Sequence, residues 1–155
     1  MSDGAALKKV RVRSELAKEP GPGLWSECLK VGDHFWVAGQ TALNDWWDGS
    51  GEVTFVADGN DRVIGPNDAY KQTQVTLARI KALTEAAGGT IDDIVKMTIY
   101  VTDIRYRPDV VRARTEWLDG IKNPPTVALV GVNTLAQVDI LVEIDAQGVI
   151  GCGNG

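Results

Sequence analysis

Pro66-Asn67-Asp68-Ala69-Tyr70-Lys71-Gln72-Thr73-Gln74-Val75-Thr76-Leu77-Ala78-Arg79-Ile80-Lys81-Ala82-Leu83-Thr84-Glu85-Ala86-Ala87-Gly88-Gly89 is the stretch that decides the fold. Tyr70, Thr73, Leu77, Ile80, Leu83 and Ala87 recur at helical spacing and form one stripe, while Lys71, Gln74, Lys81 and Glu85 face outward. Pro66 and Asn67 precede the helix, and Asn67 is the expected cap for its free N–H groups. Asp68 then lies in the first turn, where the helix dipole favours a carboxylate. Gly88-Gly89 ends the pattern with a residue that tolerates left-handed backbone. A one-sided helix from Asp68 to Ala87 must lie on a second layer.

The flanks supply that layer as strands. Lys8 to Ser14 alternates charged and apolar residues with a period of two. Glu19-Pro20-Gly21-Pro22-Gly23 breaks the chain, and Leu24 to Val31, Gly32-Asp33 and His34 to Ala38 read as strand, turn and strand. Gln40 to Gly65 reads as a long loop interrupted by a short strand, Val53 to Val56. After the helix, Thr90 to Asp93 is a connecting turn and Ile94 to Thr102 a central strand rich in β-branched residues. Pro108 to Leu118 is a second helix, with Asp103 placed to cap it. Thr126 to Val132 and Ile140 to Val149 are the last strands, and the apolar density of Val127 to Val132 predicts burial on both faces. The order matches a split βαβ arrangement. The expectation is one α+β domain over residues 1–155, a mixed sheet with two helices packed on one face. Residues 1–7 and 151–155 are expected to be flexible.

Composition narrows the function. The net charge of −5 disfavours a polyanion such as nucleic acid. Lys8, Lys9, Arg11 and Arg13 alternate with apolar residues, as a solvated strand face does. Cys28 and Cys152 are far apart, and the single histidine, His34, has no Cys or second His nearby, so neither a disulfide framework nor a metal site is expected. No glycine cluster is followed by Lys-Ser/Thr, which argues against a nucleotide loop. One histidine leaves Ser14, Ser26 and Ser50 without a plausible triad. No apolar run is long enough to span a bilayer, and no signal-peptide pattern opens the chain. A cytoplasmic location and no membrane partner are the expectation.

Several segments together carry a resemblance: Val37-Ala38-Gly39-Gln40; Gln72 and Gln74 in a helix ending Glu85-Ala86-Ala87-Gly88-Gly89; Asp92-Asp93-Ile94-Val95-Lys96-Met97-Thr98 leading to Tyr100-Val101-Thr102-Asp103; Pro125; and Val142-Glu143-Ile144-Asp145-Ala146. In order and spacing, from about Gly21 to Val149, they resemble the RidA/YjgF family of enamine and imine deaminases. The resemblance implies a chorismate-mutase-like fold and a homotrimer with clefts between subunits. It also implies hydrolysis of a short-lived imine with no metal or organic cofactor.

Residue by residue, Glu143 matches the glutamate that positions the attacking water. A carboxylate can take a proton from water and return one to the leaving amine; the plain alternative is a surface carboxylate on a strand. The family arginine, which clamps the substrate carboxylate, falls on Val127 within Pro125-Thr126-Val127-Ala128. The following cysteine falls on Leu129, the tyrosine on Trp25, and the serine before Gly39 on Ala38. A cation could come instead from the second helix, which with its approach carries Arg105, Arg107, Arg112 and Arg114; Arg112 or Arg114 could reach the cleft, Arg112 being the candidate chosen, against the plain reading of an exposed helix face. Trp25, Trp46 and Trp47 around the expected cleft point to an aromatic or extended substrate, or equally to packing between subunits. Trp36 is either core or interface, and Trp117 core.

The functional expectation is therefore a deaminase acting on an enamine or imine small molecule. A larger unsaturated amino acid such as an aminomuconate from aromatic catabolism is a reasonable substrate class. Catalysis rests on Glu143, and substrate contacts on Arg112, Trp25, Gly39, Trp46 and Val127. The alternative is a non-catalytic trimer that binds a small metabolite; a third reading is a protein-interaction scaffold.

Overall fold

The long helix begins one residue later than expected, and its cap moves with it. In the computed structural model, which describes residues 6–14, 24–43 and 63–154, helix α1 runs Ala69–Ala86 and Asp68 is its cap. The Asp68 carboxylate accepts the Lys71 backbone N–H at 2.9 Å. Asp68 thus stands before the first turn rather than in it, and Asn67 belongs to the preceding turn. An aspartate caps as well as an asparagine and adds a charge at the positive helix end. The other end stops as read: Gly88 is left-handed at φ +97°. Its N–H donates to the Glu85 carbonyl and that of Gly89 to the Thr84 carbonyl, the paired closure typical of a glycine stop. Lys30 Nζ adds a cation at this negative end, 3.1 Å from the Ala87 carbonyl.

The strands are β1 (Lys9–Val12), β2 (Cys28–Val31), β3 (His34–Gln40), β4 (Ile94–Val101), β5 (Thr126–Gly131) and β6 (Val142–Val149), with helix α2 spanning Arg107–Trp117. They form one six-stranded mixed sheet in the order β1-β2-β3-β6-β4-β5. Strand β6 lies antiparallel between β3 and β4. The β3–α1–β4 unit is therefore split by the last strand, as the element order implies. Phe35, Val37, Met97, Ile99, Val101, Val142, Ile144 and Ala146 turn one face of the sheet toward Leu77, Ile80 and Leu83 of α1 and Val110 of α2. Both helices cover that face. The fold is α+β. Among the described residues no helix is long and apolar enough to cross a membrane. Val53 to Val56, Glu19 to Gly23, Trp46 and Trp47 lie outside the described residues.

Two expectations change. Strand β2 starts only at Cys28, four residues later than the apolar pattern of Leu24 to Val31 predicts. Strand β5 is not buried on both faces: it pairs only with β4, in parallel, and Val127 and Val130 are exposed by 36% and 42%. Its apolar residues lie on a sheet edge that this chain does not cover. After β6, a short 3-10 turn, Cys152–Asn154, docks on the Asp92-Asp93 turn.

Asp93 makes that docking. Its buried carboxylate accepts the N–H groups of Thr90 and Gly153, each at 2.9 Å. Burial alone would raise its pKa, but hydrogen bonds from Gly153, Thr90 and Gly151 outweigh burial and hold it below the ordinary carboxylate value. A depressed carboxylate stabilises the fold above its unfolded pKa, and that contribution is lost as pH falls through the folded pKa. Asp93→Asn keeps the shape but presents an amide to donors. It is expected to cost about 1–3 kcal/mol at pH 7. In paired urea titrations the gap to the parent should close as pH falls below about 4; a pH-independent gap would contradict the charge-based account.

Gln72 holds the other approach to β6. Its amide donates to the carbonyls of Gly65 (2.9 Å) and Asp139 (2.7 Å), and its oxygen accepts the Leu141 N–H (2.8 Å). Asp139 sits at φ +71°, a left-handed conformation that aspartate tolerates better than most residues. The first turn of α1 thereby fixes the chain just before Glu143.

Candidate functional site

Strand β3 carries a bulge at its end. Val37 pairs with Ala146 and Gln40 with Ile144, so Ala38 and Gly39 together oppose Asp145. The bulge turns Gly39 toward Glu143: a Cβ built on Gly39 would lie 2.0 Å from Glu143 Oε1. Only glycine leaves room for the carboxylate there. Glu143 and Gly39 line a pocket of ≈ 480 Å³ with Trp25, Ala38, Thr41, Leu43, Ala136 and Gln137, a volume suited to a small molecule. The wall is mainly apolar. Glu143 is half-buried, and burial first, then the charge of Asp145, raise its pKa above the usual glutamate value. Asp145 shares the Glu143 face of β6 and accepts the Tyr100 hydroxyl at 3.2 Å. Burial and the same carboxylate raise the Tyr100 pKa. Such a glutamate is suited to exchanging a proton with bound water.

Trp25 is held at both ends although half its surface is exposed. Its carbonyl accepts from Arg11 at 2.6 Å. Its indole N–H donates to Glu27 Oε1, also at 2.6 Å. The second Glu27 oxygen accepts the Gln40 amide at 2.6 Å, and that amide also reaches the Ala38 carbonyl at 3.1 Å. Behind the pocket, the buried Arg79 donates to the Thr41 carbonyl at 2.5 Å.

Of the residues singled out from sequence, Glu143, Gly39 and Trp25 come together. Val127 does not join them. It pairs with Met97 on the edge strand β5, while β6 and β4 separate β3 from that edge. Arg112 lies on the seam between the helices, 3.9 Å above the Tyr70 ring and 3.5 Å from Asp109; the Tyr70 hydroxyl donates to Glu116 beside it. Arg105 pairs with Asp103, which holds the Asp103 carboxyl at about 2. Trp46 lies outside the described residues. Among the described residues, none lining the Glu143 pocket is cationic, and no group of three or more His, Cys, Asp or Glu is placed to hold a metal.

The sequence reading missed Glu27, Gln40 and Arg79. The first two were within reach of the hairpin register. Cys28 pairs with Val37, so Glu27 falls beside Ala38 and the bulge. Arg79 carries no such signal, because a charged residue on a helix is ordinarily solvated.

Relatives share this architecture and sequence pattern. The family described as Endoribonuclease L-PSP matches residues 17–150. A RutC family protein of Pyrococcus abyssi is 32% identical over 83% of this chain and 89% of its own. TdcF of Escherichia coli K12, named for reactive intermediate deamination, is 32% identical over 54% of this chain and 65% of its own. Among solved structures, a Pseudomonas aeruginosa protein superposes with a TM-score of 0.75 at 32% identity, covering 94% of both chains. YyfA of the Rid family from Yersinia pestis gives 0.75 at 25% identity, covering 92% of this chain and all of its own (100%). The matched span, the identity to relatives over most of both chains and the shared fold agree: the chain belongs to the RidA/YjgF family.

Proposed function

We propose that this protein is a deaminase that hydrolyses the C=N bond of an enamine-derived imine to a carbonyl compound and ammonia. The observation that carries the reading is Glu143, a half-buried carboxylate set against a glycine bulge in a pocket whose other walls are mainly apolar. The enamine first tautomerises to the imine. Water then adds to the imine carbon while Glu143 takes its proton. The imine nitrogen receives that proton to give the carbinolamine; Glu143 then passes the carbinolamine hydroxyl proton to the nitrogen, the C–N bond breaks, and ammonia leaves as the C=O bond forms. Trp25 offers a flat wall, which suits an extended unsaturated amino acid of the aminomuconate kind better than a two- or three-carbon substrate.

A homotrimer belongs to the proposal. Trp36 and Val130 lie on the sheet face away from the helices and are exposed by 43% and 42%. A second copy covering this face and the β5 edge would exclude water from both. The lack of a cation among the described lining residues favours a second reading, a trimer that binds a metabolite without turning it over.

Imines generated in situ from small and aromatic amino acids by an amino-acid oxidase provide the test, with ammonia release followed above the spontaneous rate. Acceleration supports the deaminase. Calorimetric binding of the corresponding 2-oxo acids with no acceleration would replace it with the binding protein.

A further inference from the structure

We propose that Glu27 is a positioning residue that fixes Trp25 as a rigid stacking wall and so selects flat, conjugated acids. This rests on the Glu143 pocket being the substrate site. Glu27 is fully buried, and a buried carboxylate is costly unless its oxygens are satisfied. Its two oxygens tie a wall of the pocket to the strand behind it: one takes the Trp25 indole N–H, the other the buried Gln40 amide, both at 2.6 Å. Hydrogen bonds to a carboxylate are stronger than those between neutral groups. Gln40 follows Gly39 directly and ends the bulge. One carboxylate therefore couples the indole to the bulge that faces Glu143.

Trp25 lies outside any strand and is 48% exposed. A side chain in that position would ordinarily sample several rotamers. Here Arg11 holds its carbonyl and Glu27 its ring nitrogen, so neither end is left to turn. A ring fixed before the ligand arrives loses little freedom on binding, which raises affinity for ligands that stack on it and does little for those too small to reach.

The test uses the full-length protein, with phenylpyruvate as the flat probe and pyruvate as the small one. Glu27→Gln keeps the side-chain shape but turns an amide toward the Gln40 amide. It is expected to raise the Kd of phenylpyruvate about tenfold and that of pyruvate less than about twofold. The exchange Glu27→Gln with Gln40→Glu restores a donor facing an acceptor between the two side chains, but gives up the Gln40 donation to the Ala38 carbonyl, and should recover part of the loss. The Trp25 indole N–H resonance gives an independent readout: slow hydrogen exchange in the parent, fast in Glu27→Gln, slow again in the exchange pair. Equal weakening of both probes, or no rescue, would assign Glu27 to general stability and overturn the proposal, as would a parent protein that binds neither probe. The deaminase reading fails separately: selective phenylpyruvate binding with no ammonia release leaves this proposal standing, whereas ammonia release indifferent to Glu27→Gln removes this proposal alone.

Discussion

Replacing Gly148 with alanine is expected to destabilise the fold by about 3 kcal/mol or more, an overpacking effect at the upper end of the usual range. For a chain of this length that corresponds to a melting temperature lower by roughly 10 °C. The cause is close approach, since Gly148 is not left-handed. A Cβ on Gly148 would lie 2.2 Å from the Asp93 carbonyl oxygen and 2.3 Å from Phe35 Cζ. Gly148 is the cross-strand partner of Phe35 on one side and of Ile94 on the other. The fully buried Phe35 ring lies over its Cα. A ring can shift, but the Asp93 carbonyl belongs to the turn held by the Thr90 and Gly153 hydrogen bonds. Adding Phe35→Leu should thus restore only part of the loss. Gly131→Ala is the control, because nothing lies within 4 Å of the added atom, and it is expected to stay within about 0.5 kcal/mol of the parent. Calorimetric melting of the three variants decides the matter; a Gly148→Ala protein as stable as the control would show that the strand can slip aside.

The same close approaches explain what could be read in the sequence. Periodicity identified both helices and the central strand as elements but not every side they present: Val75, Thr76, Arg79, Ala82 and Thr84 are buried outside the α1 stripe, and Tyr70 within it is only partly covered. Tyr70 to Ala87 repeats every three or four residues, and Ile94 to Val101 is β-branched. The split position of β6 followed only from element order. Burial of β5 was misread because apolar density says that a surface is covered, not by what. Val127 to Val130 are as apolar as a buried strand yet form the edge of this chain's sheet. The Asp93 clasp was invisible, since Gly153 and Asp93 are distant in sequence and neither has a periodic context.

The candidate site was legible in its chemistry but not in its supports. Glu143, Gly39 and Trp25 were chosen by residue type and resemblance, and they meet in one pocket. Arg112 was chosen because a carboxylate substrate needs a cation, an argument about the ligand rather than about the helix. Its guanidinium stacks on Tyr70 at the seam between helices. Glu27 carries no signal of its own, because an acidic residue is ordinarily solvated. Its burial follows from the donors that the hairpin register brings to it.

Glu143→Gln is expected to lower the imine hydrolysis rate by about 10²–10⁴-fold, the range typical for removing a general acid–base group, while leaving the fold at least as stable. The sign of the second effect separates catalysis from structure. Burial and the Asp145 charge raise the Glu143 pKa, so its ionised form is disfavoured in the folded state and weakens the fold at neutral pH. A neutral isostere removes that penalty. The melting temperature should therefore be unchanged or slightly higher, whereas a carboxylate kept for stability would lower it. The pH profile gives a further check. Activity should rise as Glu143 loses its proton, with the midpoint above that of an ordinary glutamate. Asp145→Asn removes one of the two causes, so the rise should move to lower pH. Gly39→Ala reaches the same group from the other strand. Its added Cβ would stand 2.0 Å from Glu143 Oε1, the mobile end of a side chain rather than backbone. The carboxylate can swing away at little cost in stability but no longer faces the bulge. Loss of turnover in Gly39→Ala with a parental melting curve would locate catalysis at this contact. Full activity in both variants would show that Glu143 does not touch the reacting water.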